Sequence, residues 1–493
     1  MLELLRGEPR AVELYQFNLL TFPNVTGHWI QAASLLFVSP FISTKLMLSV
    51  SYLGFVASVV WLRWCVAGRE GLSISVLVAA AIGFNWLWLV GAYNFNIGLS
   101  LALAGTGCYH RWREDLTNLR VGLLALIAIA AFLSHIVAFL FLGVAIGVIC
   151  LFPFSTLSRN NLIKTAAIFL PAVPLVVFYA SSTEAGGGFY PIWRRLSDPY
   201  SITQWIDQVR TVDSLYLIRR SSIPFIETET PWFIVFAPFA WLAIALGILT
   251  IPTLRKWDVR GTLPFVILAF GFIAVSFFSP DDLQYSSSTG GLMRQRFFLA
   301  GLVFLVPIFR VEQIGKSLKS LAGGVLLFIV AFQTAAMWEY AIKSDRDARE
   351  FFTATEAIPV GSSLGAIVIE PKSYRFVVSH MSSINNYNAI LRRSTTWNNY
   401  EFAHFLFPVI VRNKHHREFA VKLGSTAAID LSQPATFAPQ QIETLAECLA
   451  STDPRIDTLV VWGSYDPVEA MVRENFGTDP IFKNGRVRVF RRQ

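Results

Sequence analysis

The sequence predicts a polytopic α-helical membrane protein of about ten transmembrane helices, ending in a small soluble α/β domain. Apolar stretches of membrane-spanning length fill the chain from Thr44 to Tyr340. Hydrophobic residues make up 54% of the 493 positions and charged ones only 15%, which excludes an ordinary water-soluble globule. From residue 341 onward the character turns soluble, with short apolar runs set among charges.

The clearest spans are 44–66, 73–91, 163–182, 231–251, 262–280 and 320–338, each near the length needed to cross about 30 Å of hydrocarbon. Residues 93–108 make a weaker, polar-tinged span, and 295–310 a short one. Residues 119–153 are too long for one crossing and read as two short helices turning between Ser134 and Ala138, with His135 near the turn. Together these give ten crossings. The chain divides into an outer-face juxtamembrane segment (1–43), the helical domain (44–340) with a long outer loop at 183–230, and the soluble domain (341–493). In that loop a helix from Ile202 to Leu217 fits the membrane surface.

Charge placement orients the spans. Arg63 and Arg69 flank one turn, Arg111, Arg113 and Arg120 a second, and Arg159 and Lys164 a third. Arg255, Lys256 and Arg260 mark a fourth, and Arg310, Lys316 and Lys319 a fifth. With ten spans all five share one side, expected to be cytoplasmic. Both ends then lie on the periplasmic or extracellular face of a bacterial inner membrane. The net charge of +8 is spread over such turns, not over one soluble face, which argues against nucleic-acid binding.

In the soluble domain Leu364–Ile369, Phe376–Ser379 and Thr458–Trp462 read as strands, and Val487–Phe490 as a late edge strand. Pro439–Leu449 reads as a helix with Ile442, Leu445, Ala446 and Leu449 on one face, and 466–475 as another. Asp466 and Glu469 follow TLVVWGSY, where a carboxylate serves function or caps a helix. Cys65, Cys108, Cys150 and Cys448 form no CxxC pair, and no HExxH, Walker A or GxGxxG motif occurs. Nothing suggests a nucleotide or redox cofactor.

The stretch LYQFNLLTFPNVTGHWIQAASLLFVSPFISTKLMLSVSYL (14–53) resembles the end of the first outer loop of the GT-C superfamily, the polyprenyl-phosphate-dependent membrane glycosyltransferases. GLMRQRFFLAGLVFLVPIF (291–309) resembles that family's Arg-Phe entry to a late span. The resemblance covers Glu13 to Tyr340 and implies a GT-C-like fold. It further implies sugar transfer from a polyprenyl-phosphate donor to an outer-face lipid, glycan or protein acceptor.

Such enzymes open with a transmembrane helix leading into an acidic motif, whereas this sequence offers Glu3, Glu8 and Glu13 and no Asp before Asp115. Three readings stay open: a late or truncated start, glutamates in place of the motif, or a non-catalytic relative. The alternatives to an enzyme are a scaffold for envelope polysaccharide assembly and a transporter.

Glycosyl transfer needs a base for the acceptor and cations to hold the leaving phosphate. Glu8 and Glu13 stand nearest the family's base position, and their bland reading is surface charge. His28, after the Pro23–Asn24 turn, is a candidate sugar or phosphate contact, against interfacial packing. Lys45 is the first charged residue after an uncharged stretch and a candidate for an anionic headgroup. Arg294 and Arg296 stand at the mouth of a span, where guanidinium forks pair with phosphate or snorkel to lipid. Asp281 and Asp282, followed by Tyr285, complete an acidic-basic set whose carboxylate pair is a candidate divalent-cation ligand. Asn85, Asn94 and Asn96 need buried partners and are expected to bond across helices.

Overall fold

Of the 493 residues, the computed structural model describes 2–18, 23–152, 158–181, 203, 242–249, 261–279, 292–309, 311–369, 372–373, 376–379, 381, 383–399, 407–429, 431 and 437–492. They form two compact units. One is Leu19–Ala335, and the other joins Met1–Asn18 to Ala336–Gln493.

The first unit is helical, and local chemistry sets its boundaries. Helix α1 (Thr26–Ser34) precedes α2 (Pro40–Ala67), which starts where Ser39 accepts from the Ile42 amide with Pro40 in the first turn. It stops at Gly68, whose φ of 75° a side chain would resist. After α3 (Leu72–Gly83), Asn85 accepts from the Trp88 amide and starts a short turn, so the span expected over 73–91 is broken there. Then come α4 (Tyr93–Trp112), α5 (Asn118–Ser134) and α6 (Ile136–Leu151). Between the last two, the His135 ring accepts from the Val137 amide, so the expected break falls at this N-cap. Helix α7 (Arg159–Phe169) runs through a 3-10 turn into α8 (Val173–Ser181). Helices α9 (Leu263–Phe278), α10 (Met293–Leu305) and α11 (Lys316–Phe352) follow.

Three runs, Pro40–Ala67, Arg159–Tyr179 and Lys316–Ala357, are long and apolar enough to cross a membrane. The apolar helices α3, α5, α6 and α9 are shorter. At 17 residues α5 reaches about 25 Å, a little under the hydrocarbon thickness. Leu126, Phe270, Leu327 and Phe328 are each more than half exposed, as lipid-facing side chains are. The loop helix expected over Ile202–Leu217 and the span over 231–251 fall largely outside the described residues.

Helix α4 packs at the centre, with Phe95, Leu99, Ala102 and Leu103 buried. A Cβ on Gly98 would lie 2.8 Å from the Ala138 Cβ, so α4 approaches α6 more closely than a side chain at 98 would allow.

The second unit is α/β. Its main sheet runs β5-β2-β8-β10-β9, built from Thr395–Thr396, Ser363–Ile369, Thr458–Trp462, Val487–Arg491 and Phe482–Asn484. β7 (Ala428–Ile429) also pairs with β2, and β3 (Lys372–Ser373) pairs antiparallel with β4 (Phe376–Ser379) as a separate two-stranded sheet. The pairs of β2 are parallel and those of β10 antiparallel. The expectation that Val487–Phe490 forms an edge strand is corrected: β10 lies between β8 and β9, because the Gly485–Arg486 turn folds β9 back onto it. Helices α12 (Asn385–Leu391), α13 (Lys414–Thr426), α14 (Phe437–Ala450) and α15 (Asp466–Phe476) accompany the sheet.

Among the described residues, no strand covers Ala366 on the side of β2 between β5 and β7. The Asn398 amide replaces one, accepting from Ala366 N at 2.6 Å and donating to its carbonyl at 3.0 Å. The N-terminal segment belongs to this unit. After the short helix Pro9–Leu14, β1 (Tyr15–Phe17) pairs antiparallel with β6 (Val409–Val411), with Tyr15 opposite Val411 and Phe17 opposite Val409. The expected segment 1–43 is thus divided: residues to Asn18 fold with the tail, and α1 folds with the helices.

Candidate functional site at one end of the helical unit

The two ends of the helical unit differ in chemistry. At one, backbone carbonyls collect cations. Arg63 Nη2 donates to Glu70 O at 2.9 Å and Phe309 O at 3.1 Å, and Lys164 Nζ to Leu116 O at 2.6 Å. Arg111 stacks 5.1 Å from the Trp64 ring, and Arg120 pairs with Asp115. These residues come from the basic turns singled out in the sequence. Arg255, Lys256, Arg260 and Arg310 lie outside the described residues.

The opposite end holds polar groups that interlock around the start of α4. Asn94 accepts from the Gly27 amide at 2.5 Å and donates to Asn24 O at 2.9 Å. Its Nδ2 lies 3.4 Å from His28 Nδ1. Asn24 and Val25 amides bind Leu133 O, and Ser134 Oγ donates to Thr26. The turn carrying His28 is therefore tied to both α4 and the α5–α6 corner. Beside Asn94, Phe95 meets the His135 ring edge-on at 5.3 Å. The Arg296 guanidinium lies 5.4 Å from the Phe95 ring centre and within electrostatic reach of His135. Arg294, one turn-face away on α10, is buried and donates from Nε to Ser279 O at 2.6 Å.

Of the residues expected to carry chemistry, the helical unit brings His28 and Arg296 into this cluster. Arg294 turns instead to the end of α9, where it satisfies a carbonyl. Lys45 lies on the exposed side of α2. Glu8 and Glu13 belong to the other unit; both are exposed, and Glu8 heads its helix without a side-chain cap bond. Asp281, Asp282 and Tyr285 lie outside the described residues. Among the described residues no three His, Cys, Asp or Glu side chains converge to hold a metal. Asn94 bonds across helices as its burial requires, whereas Asn85 bonds locally and caps the turn after α3. Phe95 has no sequence signal at all: it is one aromatic among 41 phenylalanines.

Chemically, the cluster offers a guanidinium held against an aromatic face, two imidazoles and a fixed amide. Such groups suit an anion and the hydroxyls of a sugar. No family model matches this chain, and no curated protein matches it.

Proposed function

We propose that the chain is a GT-C-type membrane glycosyltransferase with about ten spans. It moves a sugar from a polyprenyl-phosphate donor to a lipid, glycan or protein acceptor on the outer face of a bacterial inner membrane. The single observation that carries the reading is the set His28, Asn94, Phe95, His135 and Arg296, gathered at the end of the helical unit away from the basic turns. Cationic turns favour the cytoplasm, so the opposite end faces outward.

The β1–β6 ladder supports an even number of crossings. Two strands in one ladder share one side of a bilayer, so the chain between Asn18 and Ala336 must return to the side it left. In the reaction, the acceptor oxygen bonds to the anomeric carbon as the bond to the carrier phosphate breaks. Arg296 meets the charge that develops on the phosphate, and Arg294 fixes the end of α9 beside it. Glu8 or Glu13 takes the acceptor proton, Lys45 meets a lipid headgroup, and Tyr285 contacts the donor. The Asp281–Asp282 pair is proposed as the ligand of a divalent cation.

A non-catalytic role in envelope polysaccharide assembly is the second reading. The exposure of Glu8 and Glu13 favours it, since a general base is ordinarily desolvated and oriented. The deciding experiment uses purified protein in nanodiscs with a radiolabelled polyprenyl-phosphate sugar and an extract of envelope acceptors. Transfer that disappears in Arg296→Ala supports the enzyme. Donor binding without transfer supports the scaffold, and neither binding nor transfer defeats both.

A further inference from the structure

The soluble unit contains a cleft of about 170 Å³ between α15 and the β9–β10 edge of the sheet. Its floor is apolar, formed by Val461 and Phe490, and its rim carries Arg473, Lys483 and Arg488 with one carboxylate, Glu469. Strand register puts these cations there. Lys483 stands directly opposite Arg488 in the β9–β10 pair, and Arg488 directly opposite Val461 in the β10–β8 pair. Residues directly opposite share a sheet face, so one row crosses the cleft as Lys483, Arg488, Val461.

Like charges directly opposite one another destabilise a ladder. Arg488 is compensated: it donates to Glu469 Oε1 at 2.9 Å and to Gly463 O at 2.6 Å. Glu469 is occupied in turn by Ser464 and lies 3.6 Å from Arg473. The Lys483 side chain has no ion-pair or hydrogen-bond partner among the described residues. The neighbouring Asp479 is turned to Thr478. The cleft therefore keeps an uncompensated cation, held by the ladder against a second one, above a small apolar floor.

We propose that this cleft binds a phosphoryl group, with Lys483 and Arg473 as its cationic contacts. The phosphoryl group bridges the Lys483–Arg488 repulsion, and the apolar floor takes the carbon atoms attached to it. The same chemistry is presented by a soluble phosphate ester and by an anionic lipid headgroup. The inference is independent of the glycosyl-transfer reading.

Full-length protein in phosphatidylcholine nanodiscs is titrated with glycerol 3-phosphate, against sodium chloride at matched ionic strength, and hydrogen exchange is followed across 466–491. Binding to a soluble ester gives protection with glycerol 3-phosphate alone, and Lys483→Gln weakens it about tenfold. If the source is the lipid, glycerol 3-phosphate has no effect, and protection appears in phosphatidylglycerol nanodiscs and is lost in Lys483→Gln. Without ligand, Lys483→Gln leaves the unit folded and slows exchange in β9, because it removes the like-charge pair. Equal protection of wild type and Lys483→Gln by either ligand, or protection no greater than with chloride, overturns the proposal.

Discussion

Arg63, fully buried near the end of α2, donates to the carbonyl oxygen of Phe309, 246 residues further along the chain. The same Nη2 reaches Glu70 O, so one guanidinium closes the turn after α2 and anchors the chain just past α10. Removing it leaves buried carbonyls without their donor. Arg63→Met should cost about 2–4 kcal/mol and lower the unfolding temperature of the detergent-solubilised protein. Arg63→Lys should rescue part of the loss, since both carbonyls are met by one nitrogen and an ammonium carries three donors. An unfolding temperature unchanged in Arg63→Met would remove this residue from the structural account.

Tyr15 and Val411 face each other at a non-hydrogen-bonded position of the β1–β6 ladder, since the flanking bonds are Arg412 N to Leu14 O and Asn18 N to Pro408 O. Such pairs bring the side chains closest, with Cα atoms about 4.5 Å apart. The double variant Tyr15→Cys/Val411→Cys should therefore form a disulfide, read as a mobility shift on non-reducing gels. Spontaneous closure in living cells places both ends in an oxidising compartment. If the pair closes only after cell lysis and added oxidant, the outward orientation fails while the ladder stands.

Arg296 holds its guanidinium 5.4 Å from the centre of the Phe95 ring. In the transfer assay Arg296→Ala should lower turnover by about 100-fold, the scale for losing one donor to a developing anion. Phe95→Leu keeps an apolar side chain but removes the aromatic platform, and should lower turnover less than Arg296→Ala. Equal turnover of Arg296→Ala and wild type would eliminate the phosphate role.

Glu469 predicts a pH dependence. The Ser464 hydroxyl and then the Arg488 guanidinium hold its carboxyl below the usual glutamate range. A depressed folded-state pKa contributes stability that is fully present above the unfolded value of about 4.3 and lost as pH falls through the folded value. Hydrogen-exchange protection of α15 and β10 should thus decline as pH drops below about 4.3, and Glu469→Gln should lack that part of the slope. Parallel profiles for the two proteins would show that other carboxylates govern the acid transition.

Asn398 stands in for a missing strand along β2. Asn398→Ala leaves both polar groups of Ala366 unpaired and should destabilise the α/β unit by about 1–3 kcal/mol. Asn398→Asp retains the acceptor but loses the donor, and should fall between the two. If alanine is tolerated without loss, water replaces the amide at no cost.

Apolar length made the helical character legible. The break at His135 is legible too, where a polar ring interrupts a run too long for one crossing, and so is the strand at Thr458–Trp462, a short run rich in β-branched and aromatic residues. What escaped was non-local. Val487–Phe490 looks like an edge because nothing in VRVF announces the β9 partner formed by the short Phe-Lys-Asn run before Gly485. The joining of Tyr15–Phe17 to Val409–Val411 is equally silent, since each strand is three residues long and its partner lies almost a whole chain away. His28 and Arg296 were legible as polar residues at the mouths of spans. Phe95, which connects Arg296 to His135, was not, because an aromatic ring inside an apolar helix reads as packing.

The β1–β6 ladder also dictates an order of assembly. Asn18 leaves the ribosome long before Phe407, its hydrogen-bond partner 389 residues later. At about 5–20 residues per second that interval is roughly 20–80 s. Throughout it, the Tyr15–Phe17 strand waits with an open backbone edge until Val409–Val411 is synthesised. A chaperone, the bilayer surface or a transient neighbour has to shield that edge until the ladder closes.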